Sequence, residues 1–161
     1  MKRFVALLIS PLLLFLVGCG YHLRGVSEIP QWLNNITIIS NDGNKELISL
    51  LNTILEGYNI EVNPDPATAK YWLVISNVSV QQQIVSVGAS TNPRQYQLIL
   101  TVGYLLQTPK GDIIKPRRNV IINRQLTVNN DRILGSNEEE MILVSEMRRD
   151  AVIQILNRLS R

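Results

Sequence analysis

Residues 96–106, YQLILTVGYLL, place Tyr96, Leu98, Leu100, Val102, Tyr104 and Leu106 at every second position. Side chains alternate across a strand with a period of two, so this run predicts a long strand with one apolar face. Two neighbours share its character. Residues 71–87 are rich in Val, Ile and aromatics, with Trp72, Val74, Val78 and Val80 on one parity, and Arg118–Val128 sets Val120, Ile122, Leu126 and Val128 on one side. The stretches GASTNP (88–93) and TPKGD (108–112) carry the Gly, Pro, Asn and Asp of turns, so the three runs predict two successive hairpins. Earlier, NITIIS (35–40) and YNIEV (58–62) predict short strands, and two prolines make NPDPATA (63–69) a loop.

The helical period appears twice. Between Lys45 and Glu56, Leu47, Ile48, Leu50, Leu51, Ile54 and Leu55 recur at three and four. Asp42 or Asn44 is positioned to cap this helix, and Gly57 suits the left-handed residue that closes one. The second helix is expected after Ser136, which forms a capping box with Glu139. Glu138–Glu140 lie at its positive end and Arg158 and Arg161 at the other. Met141, Val144, Ala151, Val152, Ile155 and Leu159 form its apolar stripe. Two one-faced helices and one sheet in need of cover predict an α+β fold: a two-layer α/β sandwich with a largely antiparallel sheet of four to five strands. A chain of 161 residues accommodates one such domain.

The N-terminus does not fit that pattern. Lys2 and Arg3 precede an apolar run from Phe4 to Val17 and then Gly18, the layout of a secretory signal. The run falls short of the ~20 residues a membrane-spanning helix needs. Leu16-Val17-Gly18-Cys19 matches the bacterial lipobox, whose thiol takes a diacylglycerol group and whose freed amine takes a further acyl chain. Cys19 is the only cysteine, so no disulfide forms within the chain. The expected organisation is a cleaved signal over 1–18, a lipidated leader over 19–35 that includes an extended lead-in around Pro30 and Trp32, and a single domain over 36–161. Gly20, where some lipoproteins carry an inner-membrane-retaining Asp, directs the protein to the outer membrane by analogy.

Charge and chemistry narrow the function. The formal net charge is +3, and the signal accounts for two of the cations. Residues 94–132 hold seven cations (Arg94, Lys110, Lys115, Arg117, Arg118, Arg124, Arg132) against Asp112 and Asp131. Such a surface either keeps sheet edges from pairing or binds a phosphorylated partner such as an anionic glycolipid. Nucleic acid is not expected outside the cytoplasm. Residues 76–97 carry one charge, Arg94, among many Gln, Ser and Asn, which suits contact with another polar protein surface. His22 is the only histidine, so neither a His/Cys metal cluster nor a well-placed catalytic triad can be assembled, and no phosphate loop or dinucleotide fingerprint is present. No enzyme, metal or cofactor is expected.

The heptapeptide CGYHLRG (19–25), a lipidated Cys followed by Gly, an aromatic and His-Leu-Arg, resembles the mature N-terminus of the LPS-assembly lipoprotein LptE family. RQYQLILTV (94–102) and NEEEMILVSEMRRDAVIQIL (137–156) continue the resemblance. The resemblance implies an outer-membrane lipoprotein facing the periplasm that forms a heterodimer with the β-barrel LptD, sits as its plug, is needed for correct barrel assembly and binds lipopolysaccharide. It also implies basic contacts near the hairpin tip and before the last helix, here Arg94 and Arg132, with Arg117 and Arg118 as alternatives. The competing reading is a structural lipoprotein that scaffolds another envelope complex.

Overall fold

In the computed structural model, residues 29–40, 42–87, 93–128 and 133–160 are described, and the alternating segments form one four-stranded sheet. Its strands are β1 (Ile36–Ser40), β2 (Tyr71–Val87), β3 (Pro93–Gln107) and β4 (Ile113–Thr127), in that spatial order. β1 runs parallel to β2, while β2–β3 and β3–β4 are antiparallel. The parallel step needs a crossover, which α1 (Lys45–Gly57) supplies; α2 (Ile133–Leu159) follows β4. Both helices lie on one face of the sheet, giving the expected two-layer α+β fold.

The core forms between them. Leu98, Leu100, Val102, Tyr104 and Leu106 of β3 are all buried, opposite Leu47, Leu51 and Leu55 of α1 and Met147, Ala151, Val152, Ile155, Leu156 and Leu159 of α2. The spacing of four along each helix sets one stripe on one side. Ile29 and Leu33 are buried in the same cluster, and Trp32 meets Tyr71 edge to face at 5.5 Å, so part of the lead-in is packed as a 3₁₀ turn (Gln31–Leu33).

Several local expectations are revised. β2 does not keep one parity. Leu73 and Ile75 face the core and Val74 faces away, because Asn77 takes a left-handed φ of 53° and a bulge sets Asn77 and Val78 opposite the single residue Val102. Beyond the bulge the phase is inverted, and Val78 packs against the core. The bulge also claims Asp42: its carboxylate accepts the Val78 N–H at 3.0 Å, while the Asn44 side chain accepts the Leu47 N–H at 3.1 Å and caps α1. Gly57 is the last helical residue rather than the left-handed one, a role taken by Asn59 at φ 57°. YNIEV does not form a strand; only Val62 bridges to Ile36, and Pro64 and Pro66 deny a longer ladder the N–H groups it needs.

β4 begins at Ile113, five residues before the expected start. Lys115 pairs with Leu106 and Arg118 with Tyr104, so Pro116 and Arg117 bulge opposite Leu105. An edge strand tolerates a proline there because the missing N–H removes no inner hydrogen bond. The TPKGD turn holds as expected, with Gly111 at φ 94° and the Thr108 N–H donating to the Asp112 carbonyl. α2 begins at Ile133, so Ser136 lies inside the helix and the Glu138–Glu140 run falls beyond the first turn. Met141 is exposed, and with Val144 it borders an open groove against Leu50 of α1. Arg148 and Glu46 pair between the two helices.

Candidate functional site

The two faces of the sheet differ in chemistry. The face away from the helices is closed at its β1–β2 side, where Thr37, Val74 and Ser76 are buried, and open to solvent along β4. Strand alternation sets on it Thr37 and Ile39 of β1, Val74 and Ser76 of β2, Gln97, Ile99, Thr101 and Leu105 of β3, and Asn119, Ile121, Asn123 and Gln125 of β4. None of these carries a charge, and the one cation in register with them is Arg117, which with Pro116 opposes Leu105 at the β4 bulge. The face mixes uncharged polar groups with aliphatic ones, and Ile121 stands 56% exposed. The low-charge stretch seen in residues 76–97 is therefore part of a wider surface that β1 and β4 continue. Sequence reading missed that breadth because the contributing residues become neighbours only through strand pairing.

The cations gather elsewhere and do not form a single platform. Arg124 projects to the helix side and is paired with Asp150 of α2. Arg117 and Arg118 sit exposed at the β4 bulge near the turn that joins β3 and β4. Arg94 enters β3 at its first turn of pairing, and its side chain lies outside the described residues, as does Arg132. Ten residues of strand separate Arg94 from Tyr104, the partner of Arg118, a span of about 30 Å at ~3.3 Å per residue. Arg94 and Arg118 thus lie at opposite ends of the sheet. Arg132 follows Thr127 by five residues, and Thr127 nears the Arg94 end, one residue on, by pairing with Gln95. Cys19 and the segment before Ile29 lie outside the described residues. No helix among the described residues is long and apolar enough to cross a membrane, and no group of three or more His, Cys, Asp or Glu among them is placed to hold a metal.

These features define a small α+β module with helices on one side of its sheet and, on the other, a largely uncharged face that is open along β4. The sequence model of the family described as "LptE: Lipopolysaccharide-assembly" matches residues 33–159, and the chain belongs to that family. Among its relatives, the LPS-assembly lipoprotein LptE of Photorhabdus laumondii is 27% identical over 157 residues, covering 98% of this chain and 85% of that one. The protein of the same name from Yersinia enterocolitica is 29% identical over 158 residues, covering 98% and 75%. Among solved structures, the rare lipoprotein B of Shewanella oneidensis superposes with a TM-score of 0.67 at 25% identity, over 78% of this chain and 93% of that one. The uncharacterized lipoprotein B of Nitrosomonas europaea reaches a TM-score of 0.72 at 24% identity, over 88% and 90%, which establishes the shared fold.

Proposed function

We propose that the protein is a lipopolysaccharide-assembly lipoprotein of the outer membrane, anchored on the periplasmic side through Cys19 after loss of residues 1–18. In this reading it sits as the plug of the β-barrel LptD, supports correct assembly of that barrel, and binds lipopolysaccharide during its insertion at the cell surface. The observation that carries the reading is the family match across residues 33–159. The sheet face away from the helices supports it: a barrel lumen is polar, and the largely uncharged Asn/Gln/Thr surface open along β4 meets such a wall with little burial of unpaired charge. The domain acts by binding, with no catalytic step.

Arg94, at the end of β3 where Gln95 pairs with Thr127, and Arg132, five residues after Thr127 in the chain, are the proposed lipopolysaccharide contacts. Each charge-assisted bond to a phosphate is worth about 1.5–3 kcal/mol, so reversing both charges loses more than an order of magnitude in affinity. The double variant Arg94→Glu, Arg132→Glu is expected to retain its thermal unfolding midpoint and to capture less than a tenth of the lipopolysaccharide held by the unaltered chain in a detergent pull-down. Undiminished capture removes both residues from the site.

A further inference from the structure

At the turn end of β3 and β4, a cavity of about 220 Å³ is lined by Tyr104, Lys115, Pro116, Arg118 and Arg158. It draws on three elements, and the β4 bulge makes it. Lys115 and Arg118 are three residues apart and would point to opposite faces of an unbroken strand. Because Pro116 and Arg117 together oppose Leu105, Lys115 stands across from Leu106 and Arg118 across from Tyr104, both partners belonging to the helix-side face. Tyr104 is 2% exposed and closes the cavity on the core side. Arg158, in the last turn of α2, is held over the strand by its Nη1, which donates to the Asn119 carbonyl at 2.9 Å. The guanidinium has five N–H donors, and this bond uses one.

The lining includes three cations and no carboxylate. The two ion pairs among the described residues, Arg124–Asp150 and Arg148–Glu46, involve none of the three. Cations gathered around one small cavity repel each other, and an anion between them relieves that repulsion while accepting charge-assisted hydrogen bonds. The volume equals that of about seven water molecules at ~30 Å³ each, room for a tetrahedral phosphate with part of the group that carries it.

We infer that this cavity is a binding site for a phosphate group, separate from Arg94 at the far end of the sheet. Two sources offer that chemistry: a phosphorylated lipid headgroup and free phosphate. The lipid source rests on the function proposed above; the site itself does not.

The test uses the full chain in a non-ionic detergent, titrated with inorganic phosphate by calorimetry at low ionic strength. The double variant Arg118→Gln, Arg158→Gln is expected to weaken phosphate binding at least tenfold. Lys115→Gln, which removes a cation without touching the bond to Asn119, is expected to weaken it several-fold. Lys110→Gln, in the neighbouring turn but outside the cavity, is expected to leave binding unchanged. Equal affinity in the double variant and the unaltered chain, or an equal loss in Lys110→Gln, overturns the site. Displacement of the bound phosphate by detergent-dispersed lipopolysaccharide assigns the lipid headgroup as ligand; phosphate binding that persists against it assigns free phosphate. If the unaltered chain captures lipopolysaccharide while the double variant binds phosphate normally, the cavity fails and the proposed function stands. If cavity variants lose phosphate and the unaltered chain captures no lipopolysaccharide, the site stands and the lipid reading fails.

Discussion

Gly103→Ala is expected to lower stability by about 1–3 kcal/mol, the range for overpacking a filled site. A Cβ at Gly103 would come to 2.9 Å from the Ser76 carbonyl oxygen, 3.0 Å from its hydroxyl and 3.2 Å from the Asn119 Oδ1. The closest of these is backbone at the edge of the Asn77 bulge, so relief requires β2 to shift rather than a side chain to swing. Gly57 gives the opposite sign. It ends α1 with open space around its Cβ position, and Gly57→Ala is expected to add up to about 1 kcal/mol by restricting the unfolded chain. Urea denaturation of both variants checks this, read as opposite shifts of the midpoint at constant slope. A stable Gly103→Ala would mean that β2 and β3 do not approach each other at the bulge as described.

Cys19→Ala is expected to abolish lipid anchoring. The reading gives this thiol the whole attachment. One acyl chain binds a membrane only marginally at about 0.8 kcal/mol per buried CH₂, whereas two or three chains hold it effectively permanently. Because the chain has one cysteine, no second thiol can substitute. Growth with labelled palmitate should mark the unaltered chain and leave the variant unmarked, and the intact mass of the unaltered chain should exceed that of residues 19–161 by its acyl groups. Label retained in the variant would show that the lipid sits elsewhere.

The sequence made much of the fold legible wherever one period ran unbroken. The alternation from Tyr96 to Leu106 survives intact, since β3 keeps one buried face through most of its length while the extra bulge residues fall in its partners β2 and β4. α1 is likewise readable from its stripe. The failures cluster at backbone irregularities. Asn77 adopts a left-handed conformation that a polar residue tolerates inside a strand, and the strand's phase flips there. A signal was present: the core-facing apolar residues move from odd positions at Leu73 and Ile75 to an even one at Val78. At Pro116 the proline concealed five residues of strand because an edge position and a bulge accommodate it. The start of α2 was misplaced because Ser136 and Glu139 have the spacing of a cap although both lie within the helix.

Functional surfaces were less legible than the fold. The family was readable from contiguous residues, CGYHLRG above all. The uncharged face and the cationic cavity were not, as each is assembled by strand register from residues far apart in the chain. Arg118 shows why: its place beside Lys115 depends on one bulge, and its place beside Arg158 on the packing of α2 over β4. Counting seven cations between residues 94 and 132 overstated their unity, since Arg124 is paired with Asp150 and Arg94 lies at the far end from Arg118.

The proposed plug role is tested most directly by purifying the lipidated full chain from detergent-solubilised outer membranes and identifying what remains bound. The predicted result is a stoichiometric complex with one large outer-membrane β-barrel, with lipopolysaccharide in the same fraction. It should be lost when Ile121 and Thr101, neighbours on the sheet face away from the helices, are both replaced by Glu while the isolated chain still unfolds cooperatively. A chain recovered with neither barrel nor lipopolysaccharide would contradict the reading.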